Sequence, residues 1–291
     1  MTSTPAARLR QLINHPDGLL LPGAANALTA RIIEDLGFSA VYLTGAGVTN
    51  TYLGLPDLGF VSVTEMAAHV AAICEVVDLP LMVDADTGYG NAVNLGRAVR
   101  VLERAGAAAI QIEDQVAPKK CGHFDGQEVI SGHEMAQKIH AATDARRDVD
   151  TVIVARTDAR AAHGLISALD RAAAYAEAGA DVLFIEGLRD IDELRAAGAA
   201  VPGTPKLANL VEGGKTPLLP RADLHELGFA IVLYANAALQ GAVHGTTTVL
   251  AGLREHGSLG PVLGDLTPWA QRQRLVRRDR YQELEERYQA E

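Results

Sequence analysis

The chain has 291 residues, 48% of them hydrophobic and 21% charged, which is enough apolar material for a sizeable core and excludes a disordered chain. With 26 basic against 36 acidic residues the net charge is −10, which disfavours a general nucleic-acid or membrane-surface binder. No apolar run approaches the ~20 residues needed to cross a bilayer. The start, MTSTPAARLRQLINH, lacks an apolar signal core, and two cysteines are too few for a disulfide framework, so a reduced cytoplasm is the expected home.

Short β-rich runs alternate with longer Ala- and Leu-rich segments, and no low-complexity stretch or Ser/Gly linker divides the chain. The runs fall at roughly 18–23, 39–44, 80–84, 107–113, 151–156, 180–186, 205–209 and 229–234. Most are continuously apolar, as strands covered on both faces of a parallel sheet must be. Between them the spacing is helical. Leu95, Ala98, Val99, Leu102 and Ala105 make one stripe, stopped by Gly106; Leu165, Leu169, Ala172 and Tyr175/Ala176 make another, stopped by Gly179. This alternation in an undivided chain predicts one (β/α)8 TIM-type barrel over residues 1–291 rather than an open sheet. From about residue 240 a helical extension follows. Its last segment, 268–289, has few apolar anchors (Trp269, Leu275, Val276, Leu284) and is a helix that needs another surface to rest on. The arginines Arg272, Arg274, Arg277, Arg278 and Arg280, interleaved with acids, read as a solvated or subunit-facing face of that helix.

A parallel barrel keeps its chemistry at the carboxyl ends of its strands. Those ends read Thr44-Gly45, Asp84-Ala85-Asp86, Glu113-Asp114, Arg156-Thr157-Asp158, Glu186 and Asn209. Helix capping explains any one of them alone; their convergence on one mouth favours a site. Asp84 and Asp86 would point the same way on an extended strand end, and with Glu113 they offer hard oxygen donors suited to Mg²⁺ or Mn²⁺ rather than zinc. The alternative is that one of them caps the next helix, a role for which Asn91 competes. After the Glu113 strand comes Lys119-Lys120-Cys121-Gly122-His123, where the cationic neighbours would lower the thiol pKa and the histidine supply a proton donor or acceptor. Cys74, inside a helical stripe, reads as an inert small hydrophobe. Two phosphate-loop patterns fail: Gly45-Ala46-Gly47-Val48-Thr49-Asn50 lacks the third glycine, and Gly213-Gly214-Lys215-Thr216 lacks the spaced first one.

In order and spacing, several segments resemble the isocitrate lyase/phosphoenolpyruvate mutase superfamily over about residues 8–235. They are Leu53-Gly54-Leu55-Pro56-Asp57, Asp84-Ala85-Asp86-Thr87-Gly88-Tyr89-Gly90, Glu113-Asp114-Gln115, the Lys119–His123 run, Ala155-Arg156-Thr157-Asp158, and the segment from Asn209 to Pro217. The resemblance implies a modified (β/α)8 barrel whose final helix is exchanged between subunits, usually in a homotetramer. It implies an Mg²⁺ ion near Asp84, Asp86 and Glu113, contacted partly through water. It also implies an α-oxo or α-hydroxy carboxylate bound by the backbone amides of the Thr44-Gly45-Ala46 turn and by Arg156, within a surround of Tyr42, Asp57, Lys120, Gly122, Asn209 and Glu212. In the lyase branch the Lys-Lys-Cys-Gly-His loop closes over the substrate and its cysteine moves a proton, so Cys121, His123, Arg156 and Glu186 are the catalytic candidates.

Phosphonopyruvate-forming mutases of this superfamily generally carry an Asn-Ser pair in this loop, whereas C–C lyases carry Cys-Gly-His, as do carboxyphosphoenolpyruvate mutases, oxaloacetate hydrolases and dimethylmalate lyases. Methylisocitrate lyases carry an arginine after the last strand where this chain has Gln240, and another where it has Phe124. Losing a bidentate arginine leaves a substrate carboxylate poorly satisfied, at a cost on the order of a few kcal/mol, so a dicarboxylate is expected over a tricarboxylate. The expected activity is Mg²⁺-dependent C–C cleavage of a substituted malate-type 2-hydroxy acid. A phosphonomutase or oxaloacetate hydrolase is the enzyme alternative, and a non-catalytic metabolite-binding barrel the remaining one.

Overall fold

The computed structural model describes residues 3–120 and 126–289. Its strands are β1 (Leu19–Ala24), β2 (Val41–Leu43), β3 (Leu81–Asp84), β4 (Ala109–Glu113), β5 (Val152–Thr157), β6 (Val182–Ile185), β7 (Lys206–Asn209) and β8 (Ile231–Tyr234). All neighbours pair in parallel in chain order, and β1 pairs β8 with Leu19 opposite Ile231, so the sheet closes into a barrel. The helices are α1 (Pro5–Ile13), α2 (Ala27–Asp35), α3 (Gly45–Val48), α4 (Val63–Val76), α5 (Ala92–Ala105), α6 (Gly132–Ala145), α7 (Ala159–His163), α8 (Leu165–Glu177), α9 (Ile191–Ala199), α10 (Arg221–Glu226), α11 (Ala237–His256), α12 (Trp269–Leu275) and α13 (Arg278–Tyr288). The eight-stranded TIM-type expectation holds. Strand ends differ from the expected runs by a residue or two; β2 stops at Leu43 because Thr44 already caps α3, its hydroxyl accepting the Gly47 N–H.

The continuous apolar runs are explained by two core layers. In β5, Val152 and Val154 fill the barrel interior while Ile153 and Ala155 pack outward against the helices; in β6, Val182 and Phe184 point in and Leu183 and Ile185 out. Side chains alternate along a strand, so both faces must be apolar when both are covered. α1 belongs to the interior layer: Ala6, Leu9 and Ile13 are buried in the same cluster as Leu21 and Phe184. Burying a leucine such as Leu9, with 0% exposure, stabilises by about 1.5–3 kcal/mol.

The Leu95–Leu102 stripe forms the buried face of α5 as read. Asn91 caps that helix, accepting the N–H groups of Val93 and Asn94, so neither Asp84 nor Asp86 is needed there. The helix ends at Gly106, whose φ of 115° is open to glycine and strained for any other residue. A Cβ there would also lie 2.7 Å from the Cys74 sulfur. Burial pushes the Cys74 thiol up to about 11, in keeping with an inert role.

The carboxyl-terminal part departs from this economy. α11 runs for 20 residues with none buried, and Val243 and Leu250 are 58% and 56% exposed. The segment read as one helix over 268–289 is broken in two, with Arg277 at a φ of 53° between α12 and α13. Arg274 forms a two-bond fork with Asp35, and Arg277 pairs with Glu34, so two of the clustered arginines tie this segment to α2. Among the described residues no helix is long and apolar enough to cross a membrane.

Candidate active site

The inward-pointing parity of each strand, carried one step past the apolar interior, generates the site. Tyr42 leads to Thr44, Met82 to Asp84, Ala109 to Gln111 and Glu113, Val154 to Arg156, Phe184 to Glu186 and Leu207 to Asn209. A cavity of about 40 Å³ opens among them, lined by Tyr42, Thr44, Ala46, Asp57, Asp84, Lys119, Lys120, Arg156, Phe184, Glu186, Asn209, Leu233, Ala235 and Asn236. It has room for a few waters.

Arg156 is the electrostatic centre. Its Nε and Nη2 donate to the two carboxylate oxygens of Asp158 at 2.9 and 2.8 Å, its Nε is 3.4 Å from Glu113 Oε2, and its Nη1 is 3.5 Å from Glu186 Oε2. The guanidinium also lies over the Phe184 ring, 5.1 Å from its centroid. Burial works against the cation, but Asp158, Glu113 and Glu186 outweigh it and hold its pKa well above the ordinary value. Glu186 accepts from the Gly187 N–H at 2.9 Å and from Asn209 Nδ2 at 3.3 Å.

Asp84 and Asp86 converge, though not by an extended strand end. β3 stops at Asp84, and Asp86 adopts a left-handed φ of 48°, a conformation that costs a non-glycine residue roughly 1–2 kcal/mol. Asp86 N–H donates to Asp84 Oδ1 at 3.1 Å. Gly45 lets both carboxylates approach: a Cβ there would stand 3.0 Å from Asp84 Oδ2 and 3.1 Å from Asp86 Oδ1, while its N–H donates to Asp84 Oδ2 at 3.3 Å. Behind them Tyr42 OH donates to Gln111 Oε1, and Gln111 Nε2 to Asp84 Oδ1.

Lys119 Nζ lies 2.6 Å from Asp57 Oδ1 and 2.9 Å from Asp86 Oδ1. Burial opposes its charge, yet Asp86, Asp84, Glu113 and Asp57 hold its pKa well above the usual lysine value. Burial raises the Glu113 carboxyl well above its ordinary value, with Arg156 opposing, and pushes Asp86 up to about 6, with Lys119 opposing. Glu113 Oε1 and Asp86 Oδ1 are buried without a directed hydrogen bond. The donor set is all oxygen, hard and over-supplied with negative charge, which fits Mg²⁺ or Mn²⁺. Among the described residues no group of three or more His, Cys, Asp or Glu is drawn together closely enough to cage an ion by itself.

The structure thus brings Tyr42, Thr44, Gly45, Ala46, Asp57, Asp84, Asp86, Glu113, Lys120, Arg156, Glu186 and Asn209 to one mouth. Lys120 is exposed at its edge, with Nζ donating to Gly126 O at 3.0 Å. Glu212 is not brought in: it is exposed on the loop after β7, outside the cavity lining. Cys121, Gly122 and His123 lie outside the described residues. Sequence reasoning missed Lys119, Asp158 and Gln111 as individual contributors. The alternating parity is a signal that could have found Gln111 and Asp158, whereas Lys119 sits in a loop with no period to mark it.

A sequence model of the family described as phosphoenolpyruvate phosphomutase matches residues 9–254. The chain is 44% identical over 283 residues to 2,3-dimethylmalate lyase of Eubacterium barkeri, covering 97% of this chain and 98% of that protein. It is 45% identical over 262 residues to 2-methylisocitrate lyase of Aeropyrum pernix, covering 90% and 84%. To the chloroplastic carboxyvinyl-carboxyphosphonate phosphorylmutase of Arabidopsis thaliana it is 40% identical over 291 residues, covering 99% and 86%. Among solved structures, a 2,3-dimethylmalate lyase superposes with a TM-score of 0.92 at 34% identity, covering 99% of this chain and 96% of that one. An oxaloacetate acetylhydrolase bound to 3,3-difluorooxalacetate gives 0.91 at 34% identity, covering 97% and 96%.

Proposed function

The chain belongs to the phosphoenolpyruvate phosphomutase family, within the PEP mutase/isocitrate lyase superfamily, and on that premise we propose that it is a magnesium-dependent lyase cleaving a carbon–carbon bond in a substituted malate-type 2-hydroxy dicarboxylate. The observation that carries this reading is the meeting, at one barrel mouth, of a carboxylate-held Arg156 with the over-supplied oxygens of Asp84, Asp86 and Glu113. The near-full-length similarity to a dimethylmalate lyase supports it.

Asp84, Asp86 and Glu113 would hold the ion, partly through water. When bound it supplies positive charge for the oxygen that becomes the oxo group. The chain's own residues do the rest. The amides of the Thr44-Gly45-Ala46 turn and the Arg156 guanidinium bind and orient the substrate carboxylate; Asn209 and Glu186 brace Arg156 from the side. A general base takes the substrate hydroxyl proton, the adjacent C–C bond breaks as the C=O forms, and the bond's electron pair leaves on the departing carboxylate fragment. Cys121 returns a proton to that carbon, with His123 as an orienting group. The products are an oxo acid and a carboxylic acid.

Gln240, exposed on α11, offers no arginine fork for a third carboxylate, which favours a dicarboxylate over methylisocitrate. Malate, citramalate, dimethylmalate, methylisocitrate and oxaloacetate, each incubated with enzyme and Mg²⁺ and assayed by carbonyl-product trapping, test the reading. Oxo-acid release from a substituted malate is expected; release from none overturns it. A phosphonomutase or oxaloacetate hydrolase is the second reading, favoured by the similarities to the Arabidopsis mutase and the acetylhydrolase. Phosphorus-31 NMR on candidate phosphonates and acetate release from oxaloacetate distinguish these activities from the lyase.

A further inference from the structure

Asp114 follows Glu113 but has the opposite parity, so it turns away from the mouth and into the layer between barrel and helices. It has 0% exposure, and its carboxylate receives four donors. Oδ2 accepts from Thr157 Oγ1 at 2.7 Å, from Tyr175 OH at 2.7 Å and from Arg171 Nη1 at 3.0 Å. Oδ1 accepts from the Asp158 N–H at 2.9 Å. Arg171 and Tyr175, four apart on α8, present one face to this carboxylate, and Arg171 Nη1 donates to Tyr175 OH as well.

Asp158 is the residue that grips Arg156 by two hydrogen bonds. Its backbone, at φ −97° and ψ 6°, lies in the sparsely populated bridge region, and its side chain makes no capping bond to α7. Helix capping therefore does not fix it. What does is the bond of its N–H to Asp114, reinforced by Thr157, whose hydroxyl donates to Asp114 and accepts the Ala159 N–H. The fixing matters because Arg156 has competing partners in Glu113 and Glu186, at 3.4 and 3.5 Å. A guanidinium among several carboxylates keeps one direction only while the forked partner holds its place.

We propose that Asp114, gripped from behind by Arg171 and Tyr175, is a positioning residue that aims the Arg156 guanidinium through Asp158. The aim itself stands on the hydrogen bonds; its consequence for ligand affinity rests on the carboxylate site proposed above. α8 thereby acts on the mouth without touching a ligand.

The experiment is a double-mutant cycle on oxalate binding, read by calorimetry with Mg²⁺ present. Asp114→Asn keeps the size but turns a pure acceptor into a half-donor facing Arg171. It is expected to weaken oxalate about 10-fold in the Arg156 protein and by less than about 2-fold in an Arg156→Lys background, where no fork remains to be aimed. Equal losses in both backgrounds would mark a purely structural role and overturn the proposal. Tyr175→Phe removes one donor and should give the same non-additivity at about 3-fold; it decides the matter if Asp114→Asn does not fold. The ¹⁵N Nε–H resonance of Arg156, assigned by its loss in Arg156→Lys, provides a ligand-free reading. It should move in Tyr175→Phe and Asp114→Asn, and an unmoved resonance counts against the proposal. A protein that binds no oxalate but shows the moved resonance would remove the carboxylate site and leave the positioning standing.

Discussion

The Lys119 ammonium lies 2.9 Å from Oδ1 of Asp86, and both side chains are buried. Burial nevertheless leaves the Asp86 carboxyl at about 6, above the ordinary aspartate range. A carboxyl raised in the folded state makes that state bind more protons, so the stability it contributes is present below pH 4 and is lost as pH rises through 6. Unfolding of chelator-treated protein in urea should therefore show wild type losing up to about 3 kcal/mol relative to Asp86→Asn between pH 4 and 7. Added Mg²⁺ favours the charged carboxylate and should flatten the difference. Parallel pH curves for the two proteins would contradict the assignment.

The oxygen donors at Asp84, Asp86 and Glu113 predict that Mg²⁺ or Mn²⁺ supports activity and that chelation abolishes it. Asp84→Ala and Asp86→Ala should each weaken Mn²⁺ binding, followed by electron paramagnetic resonance, by at least about 10-fold, since a hard cation loses a charged ligand or a charged partner of its bound water. Full activity in chelator-treated, metal-free enzyme is the result that would sink this prediction.

The assembly prediction comes from α11. A 20-residue helix with no buried residue, followed by Leu263 and Trp269 at 63% and 64% exposure, leaves apolar surface that a stable fold covers. We expect this arm to pack on another subunit in a closed homo-oligomer, with the tetramer that the family resemblance implies as the expected size. Light scattering at micromolar concentration should report a mass several times 30.7 kDa. Ending the chain at residue 236 should lower the number of subunits per particle. A compact, active monomer would contradict the expectation.

Much of this was legible because the strands obey a two-residue period. Once 152 and 154 are inside, Arg156 faces the mouth, and the same count separates Glu113, which faces it, from Asp114, which does not. The period ends where the strand ends. Asp86 reaches the site through a left-handed turn, which alternation does not encode. Which of two adjacent lysines would be buried was equally unreadable, because Lys119 and Lys120 sit in a loop; Lys119 is drawn in by Asp57 and Asp86, whereas Gln115 clasps the Lys120 backbone. The break between α12 and α13 was hidden because polar, weakly anchored helical sequence carries no stop signal at Arg277.

The last prediction concerns Cys121. If it delivers the proton to the departing carbon, Cys121→Ser should lose most turnover while keeping the fold, because a hydroxyl is a far poorer acid than a thiol near neutral pH. The serine still hydrogen-bonds, so ligand affinity should fall much less than turnover. Its sequence neighbours Lys119, Lys120 and His123 make the thiol a readier acid, able to give its proton and to react through its thiolate fraction, so alkylation should be rapid, and it should slow when Mg²⁺ and oxalate are bound. Cys74, whose thiol is raised to about 11, serves as the internal slow control. Single-turnover rates for wild type and Cys121→Ser, with circular dichroism on both, decide the matter. Turnover of the serine protein within about 3-fold of wild type would be less than 1 kcal/mol of barrier, too little for the loss of the proton donor, and would take Cys121 out of the mechanism.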